Sequence, residues 1–249
     1  MTLKLLSYNI RFGGAGREDR LAAAIREAGP DLVVLQEATD PQVVERIARA
    51  TGMNNWAARP GHSVGFISRR EVAHYEWHLV RGSRRAFLEI VLAGTEVRIF
   101  GIHLRAIHSN WTERRRVREL RGLLQSIKQH QKGLHVLLGD FNTLAPGELL
   151  DLRLLPFRLR PLVWLSGGYI RWETIQMMLD AGYVDGYRAI HPLEKGFTFP
   201  TWNPHLRLDY VFLPAPFADR LKGCQVLSES LTMAQASDHF PLVADLELG

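Results

Sequence analysis

Residues 135–143 read HVLLGDFNT, and the reading of this stretch decides the fold. Val136, Leu137 and Leu138 form an unbroken apolar run, the pattern of a strand covered on both faces. The run then breaks into an acid, an aromatic and an amide. On an extended backbone, Asp140 and Asn142 lie two residues apart and point to one face. A carboxylate at the end of a buried strand needs a hydrogen-bond network, a cation or a metal to offset its desolvation. Gly-Asp and Asn-Thr are also ordinary turn residues. The segment alone therefore supports a plain turn as well as a reactive site.

Strand-like runs of the same kind recur outward in both directions: LKLLSYNI, DLVVLQE, SVGFIS, FLEIVL, VRIFGIHL, LDYVFL and PLVADLEL. Helical patterns separate them. Residues 18–28 carry Leu21, Ala24, Ile25 and Ala28 on one face, and Gly29-Pro30 stops the helix. In DPQVVERIARATG, Asp40 is placed to cap, Pro41 to open the first turn and Gly52 to terminate. Residues 112–130 align Val117, Leu120, Leu124 and Ile127, with Thr112 able to cap, and a shorter helix fits residues 171–182. Helices alternate with strands early in the chain, whereas residues 86–92 and 96–104 read as a hairpin. The mixture predicts an α/β protein with mixed sheets. No linker or repeat interrupts it, so residues 1–249 read as a single domain.

Of the 249 residues, 46% are hydrophobic and 23% charged, which excludes disordered and fibrous classes. The net charge of +5 favours a polyanionic partner, nucleic acid or an acidic membrane surface. Cys224 is the only cysteine, so no intramolecular disulfide and no zinc site built on thiolates can form. Its apolar neighbours mark it as packing. No signal-peptide layout and no bilayer-length apolar run occur, and a cytoplasmic protein with no membrane span is expected.

Several strand-like runs end or begin on a side chain able to bind a metal: Asn9, Glu37, His103, Asp140 with Asn142, Asp209, and Asp238 with His239. Each has an ordinary alternative. Asn9 could close a strand-end hydrogen bond, Glu37 could pair with an arginine, and His103 could be a core histidine. Asp209 could pair with Arg207, and Asp238 could cap a turn from Ser237. Taken together, oxygen and imidazole donors without a thiolate suit a hard cation, Mg²⁺ or Mn²⁺.

The ordered set SYNIR, VVLQE, IHL, GDFN, RLDYVF and SDHFPL resembles the endonuclease/exonuclease/phosphatase superfamily of DNase I-like metal-dependent phosphoesterases. That superfamily includes nucleases, abasic-site endonucleases, sphingomyelinases and inositol polyphosphate phosphatases, and the motifs run from the first strand to the last. The resemblance implies a four-layer α-β-β-α sandwich of two mixed sheets and in-line hydrolysis of a phosphoester by an activated water. It implies that Glu37 is the principal ligand of one or two Mg²⁺ or Mn²⁺ ions, with Asn9 and Asp238 assisting. By the same resemblance Asp140 and Asn142 face the scissile phosphate and its water, Asp209 orients His239, and His103 donates to the phosphate. Either Asp140 or His239 would take the water's proton.

The chain departs from the superfamily's pattern in two places. Ala38-Thr39 stands where abasic-site endonucleases carry Thr-Lys, which counts against a dedicated DNA-repair role. Glu119 stands where an Arg-x-x-Gln pair would place glutamine after Arg116.

For substrate, Trp202, Asn203 and Arg116 are the expected contacts. The apolar and basic stretch 153–171 could stack on bases, sit among lipid headgroups or simply cover a sheet edge. The charge and the absence of a secretion signal favour nucleic acid over a phospholipid headgroup or small phosphoester. A monomer is assumed. A non-catalytic binding module is disfavoured because all eight site residues are present.

Overall fold

The computed structural model describes residues 1–80, 85–106, 110–149, 151, 153–154, 157, 160–161 and 171–248. Its strands in chain order are β1 (Thr2–Asn9), β2 (Leu32–Gln36), β3 (Asn55–Ala57), β4 (Val64–Ser68), β5 (Val72–Leu79), β6 (Ala86–Leu92), β7 (Arg98–His103), β8 (His135–Asp140), β9 (Tyr183–Asp185), β10 (Asp209–Pro214), β11 (Leu221–Val226) and β12 (Leu242–Glu247). The helices are α1 (Glu18–Ala28), α2 (Pro41–Thr51), α3 (Asn110–Ser126), α4 (Glu173–Asp180), α5 (Gly186–Ile190) and α6 (Leu231–Ala236).

The strands form two six-stranded sheets, ordered β11-β12-β1-β2-β4-β3 and β5-β6-β7-β8-β10-β9. Each is mixed in the same way. A central parallel pair, β1·β2 in one sheet and β7·β8 in the other, is flanked by antiparallel strands.

Alternation along each strand builds the layers. In β1, Leu3 and Leu5 face the second sheet, while Leu6 and Tyr8 face helices. In β8, Val136 and Leu138 face the first sheet, and Leu137 faces helices. α1, α2 and α6 cover the outside of the first sheet through Leu21, Ile25, Val44, Ile47 and Met233. α3 and α4 cover the second through Leu120, Leu123, Ile175 and Met178. The result is the expected α-β-β-α sandwich. Gly101 lets the sheets approach, since a Cβ there would lie 2.6 Å from Cγ1 of Val34.

Local signals hold at α1, which spans residues 18–28 and ends on left-handed Gly29. They hold at α2, where Asp40 accepts from the Gln42 N–H and Gly52 terminates. α3 differs. It begins at Asn110 rather than at a Thr112 cap, and after Ser126 the chain tightens into a 3₁₀ turn at Lys128–His130. The exposed edge strand β5 and the short β3, β9 and β11 have no clean apolar run and escape the sequence reading. Cys224 is buried, as expected of packing, and burial pushes its thiol pKa well up. No helix among the described residues is long and apolar enough to cross a membrane.

Candidate active site

The rows that make the inter-sheet core do not stay apolar to their ends. In β1 the row runs Leu3, Leu5, Ser7, Asn9; in β8 it runs Val136, Leu138, Asp140. β7 ends the same way on His103, and β10 begins on Asp209 before Val211 and Leu213. The parallel strands thus carry their polar ends to one rim. Register does the rest in the second sheet: His103 lies beside Asp140, and Asp140 beside Asp209. Gly139 permits that approach, because a Cβ there would sit 1.9 Å from the carbonyl oxygen of Ile102.

Asp140 is the hub. Its Oδ2 accepts from Asn9 Nδ2 at 3.0 Å and lies 3.8 Å from His103 Nε2 and 3.9 Å from His239 Nε2. Its Oδ1 accepts from the Asn142 N–H at 2.8 Å. One oxygen of Asp140 thus closes a turn, as the turn reading of GDFN expects, while the other faces the cluster. Asn142 itself departs from expectation. It is left-handed, with φ 53°, so its side chain does not continue the strand's alternation, and its Nδ2 donates to the Leu104 carbonyl.

His239 Nδ1 lies 2.8 Å from Asp209 Oδ2, the expected pair. Asp209 does not bond Arg207, whose guanidinium is held by Glu148 and Asp185. Ser237 donates to the Asn9 carbonyl at 2.6 Å, which ties the Asp238–His239 segment to the end of β1.

The first sheet contributes through turns instead of strands. Glu37, one residue past β2, has φ 60°, and Arg11 and Phe12 past β1 have φ 51° and 47°. Non-glycine residues in this region are strained and need the surroundings to hold them. Glu37 Oε2 accepts the Phe12 N–H at 2.5 Å, and Oε1 lies 3.4 Å from Asn9 Nδ2. Arg17 clamps the turn by donating to the carbonyls of Ile10, Arg11 and Ala236. Arg11 Nε pairs with Asp238 Oδ2 at 3.3 Å. The Asn9 side-chain oxygen accepts the Arg11 N–H, and its nitrogen bridges Glu37 to Asp140.

Electrostatics follow from burial and proximity. Burial, assisted by the charge of Asp209, pushes the Asp140 carboxyl up to about 7 against the pull of His239. Burial opposes charge on His239, but Asp209, its hydrogen bond, Asp140 and Asp238 outweigh it, and the imidazole is pushed up to about 10. His103 moves the other way, well below the usual range, through burial and the nearby charges of Arg85 and His239. Within the cluster, proximity to carboxylates thus favours charge on His239, while burial disfavours it on His103 and Asp140.

Ligand atoms of Asp140, Asp209 and His239 all lie within 4.8 Å of one another. Asp209 Oδ1 is buried with no hydrogen-bond partner among the described residues. An orphaned buried acceptor costs about 1–3 kcal/mol unless a ligand or water satisfies it. With Glu37 and Asp238 close by, the donors are oxygens and imidazole, which fit a hard divalent cation.

Of the substrate-side expectations, Trp202 stands at the rim, 68% exposed. Asn203 is exposed and closes a local turn, donating its N–H to Pro200 and accepting from His205. Arg116 is a correction. Its side chain is 1% exposed and paired with Glu113 at 2.7 Å, inside the seam where Glu113 also accepts from Thr143 and the Thr174 N–H. It braces α3 against α4 and is out of reach of substrate. Residues 155, 156, 158, 159 and 162–170 of the 153–171 stretch lie outside the described residues. Phe12 and Arg17 escaped sequence reading, and Arg11 entered it only as the last residue of SYNIR, although Gly13-Gly14 directly after Phe12 mark a tight loop at the rim.

The profile of the Endonuclease/Exonuclease/phosphatase family matches residues 6–239, from the end of β1 through His239. The chain belongs to this family. It is a phosphoesterase, and every one of its eight expected site residues falls inside the matched region. No curated protein sequence matches it. Among solved structures it is similar to a variant of the 3′ phosphatase NExo from Neisseria bound to product DNA hairpin, with 19% identity, a TM-score of 0.75, and 98% of this chain and 99% of that one covered. It is similar to an AP endonuclease from Archaeoglobus fulgidus, with 20% identity, a TM-score of 0.75 and coverage of 99% and 100%. A truncated Caenorhabditis elegans TDP2 matches at 17% identity with a TM-score of 0.67, covering 99% and 98%. At these identities the likeness shows the fold.

Proposed function

We propose that this phosphoesterase is a divalent-metal-dependent phosphodiesterase that cleaves nucleic acid by in-line attack of water. The observation that carries the chemistry is the buried hub at Asp140 Oδ2, facing Asn9, His103 and His239 at 3.0–3.9 Å. Asp140 accepts the proton of the attacking water. His239, flanked by Asp209 and Asp140, stays charged and clamps a phosphate oxygen, while neutral His103 donates to another. Asn142 holds the backbone turn that presents Asp140. Glu37 and Asp238 hold Mg²⁺ or Mn²⁺, and Asn9 fixes Glu37 relative to Asp140. When bound, the cation supplies positive charge against the oxygens that gain charge in the transition state.

The nucleic-acid reading rests on the net charge of +5, on the exposed Trp202 at the rim, and on likeness to structures described as a 3′ phosphatase with product DNA and an AP endonuclease. Leu149 and Phe157, 83% and 82% exposed, support a second reading, a phospholipid substrate. A panel of plasmid, single-stranded oligonucleotide, abasic duplex, sphingomyelin and phosphoinositide, each with Mg²⁺ and with chelator, separates the two. Chelator-sensitive cleavage of an oligonucleotide or duplex is expected. Turnover confined to the lipids would refute the nucleic-acid substrate, and turnover undiminished by chelator would refute the metal.

A further inference from the structure

Arg11 and Phe12 occupy left-handed backbone that glycine would adopt without strain, and Gly13 and Gly14 directly after them do adopt it, at φ 76° and 75°. Yet neither side chain is spent on packing. Phe12 is 81% exposed, an unusual position for a large aromatic on a strained turn. Arg11 is 42% exposed and pairs with Asp238 through Nε at 3.3 Å. Its two Nη groups donate no hydrogen bond among the described residues.

The guanidinium lies near two aromatic rings, 5.4 Å from the Phe12 centroid and 6.0 Å from that of Trp202. The ledge adjoins the reactive cluster on both sides. Trp202 packs on Phe199 at 6.3 Å, and Phe199 on His239 at 4.8 Å. On the other side, the Phe12 N–H is bound to Glu37.

A forked cation with free donors suits a phosphate, and exposed aromatic faces suit an unstacked base. We infer that Arg11, Phe12 and Trp202 form a subsite for the nucleotide next to the scissile phosphate: Arg11 holds its phosphate, and the two rings stack on its base. This rests on the nucleic-acid reading above and names how such a substrate would be gripped. A base must be unpaired to reach the rings, so the favoured substrate is single-stranded or frayed at this position.

The test compares fluorescence-anisotropy dissociation constants, in EDTA so that no cleavage occurs, for a labelled thymidine oligomer and an equally long oligomer of tetrahydrofuran abasic units. Phe12→Ala and Trp202→Ala are expected to weaken thymidine-oligomer binding roughly tenfold each, and to leave baseless-oligomer binding within about twofold of wild type. Arg11→Lys is expected to weaken both alike, since an ammonium cannot reproduce the fork. Equal losses on both oligomers for the aromatic variants, or no loss on either, would overturn the stacking role. Wild-type binding by Arg11→Lys would overturn the phosphate contact. The two readings fail separately. Should the wild type ignore the thymidine oligomer while hydrolysing a lipid phosphoester, the nucleic-acid reading falls; should it bind the oligomer and the variants bind as well, the subsite alone falls.

Discussion

The two sheets share a plan, yet they deliver their reactive groups by opposite means. In the second sheet, His103, Asp140 and Asp209 are set by strand register alone, side by side on β7, β8 and β10. In the first, Glu37 and Arg11 sit just past their strands on left-handed backbone, with φ 60° and 51°, held by Arg17 and by the Phe12 N–H. Regular register places groups cheaply and rigidly. A strained turn can aim a side chain where strand alternation would not, at the cost of needing braces. In the function proposed above, the acid–base groups use the first method and the carboxylate assigned to the cation uses the second.

Substituting Asp140 tests the register-set half most severely. Asp140→Asn keeps the shape and removes the proposed proton acceptor, so turnover of the true substrate by the folded variant should fall by about two orders of magnitude or more. Turnover like that of wild type would break the role assigned to the second sheet. Arg116→Ala probes what supports that sheet from outside. Removing one member of a buried pair should cost about 3–5 kcal/mol in urea unfolding. In protein that remains folded, substrate KM should stay at the wild-type value, which a substrate-contacting arginine would not allow.

Gly139→Ala asks how strict the register is. With Ile102 O only 1.9 Å from the new Cβ, β8 must shift, and a loss on the order of 1–3 kcal/mol is expected together with loss of activity. Arg17→Ala sharpens the other half. Losing three donations to backbone carbonyls should cost about 1–2 kcal/mol and weaken Mn²⁺ binding, without touching the second sheet.

The far end of β8 offers the mildest test. Burial holds the His135 pKa below 6.5, so as pH falls the unfolded chain takes up the proton first. Its contribution to stability is complete above 6.5 and declines below it, by at most about 1.4 kcal/mol per pH unit. His135→Gln should therefore flatten the fall in urea midpoint between about pH 7.5 and 5.5.

The same contrast explains what the amino-acid sequence revealed. Strand alternation and apolar runs announce β1, β2, β7, β8, β10 and β12, and each of these runs carries or adjoins a polar residue that marks the rim. The register-set groups were legible for that reason. The turn-set groups were only half legible: Glu37 stands out after an apolar run, but nothing in RFGG announces that Arg11 and Phe12 are left-handed, because that depends on Arg17, Ala236 and Glu37 arriving from elsewhere in the chain. Arg116 misled for a related reason. Among the arginines of α3 it looks interchangeable with its neighbours, and only the packing of α4 and Thr143 around Glu113 turns it inward.

Calorimetric titration of Mn²⁺ into wild type and Glu37→Gln tests most directly whether the two halves meet around a cation. Saturable binding in wild type, weakened about tenfold or more in the variant, is the result predicted here. Identical affinities, or no binding to the wild-type protein at all, would contradict it.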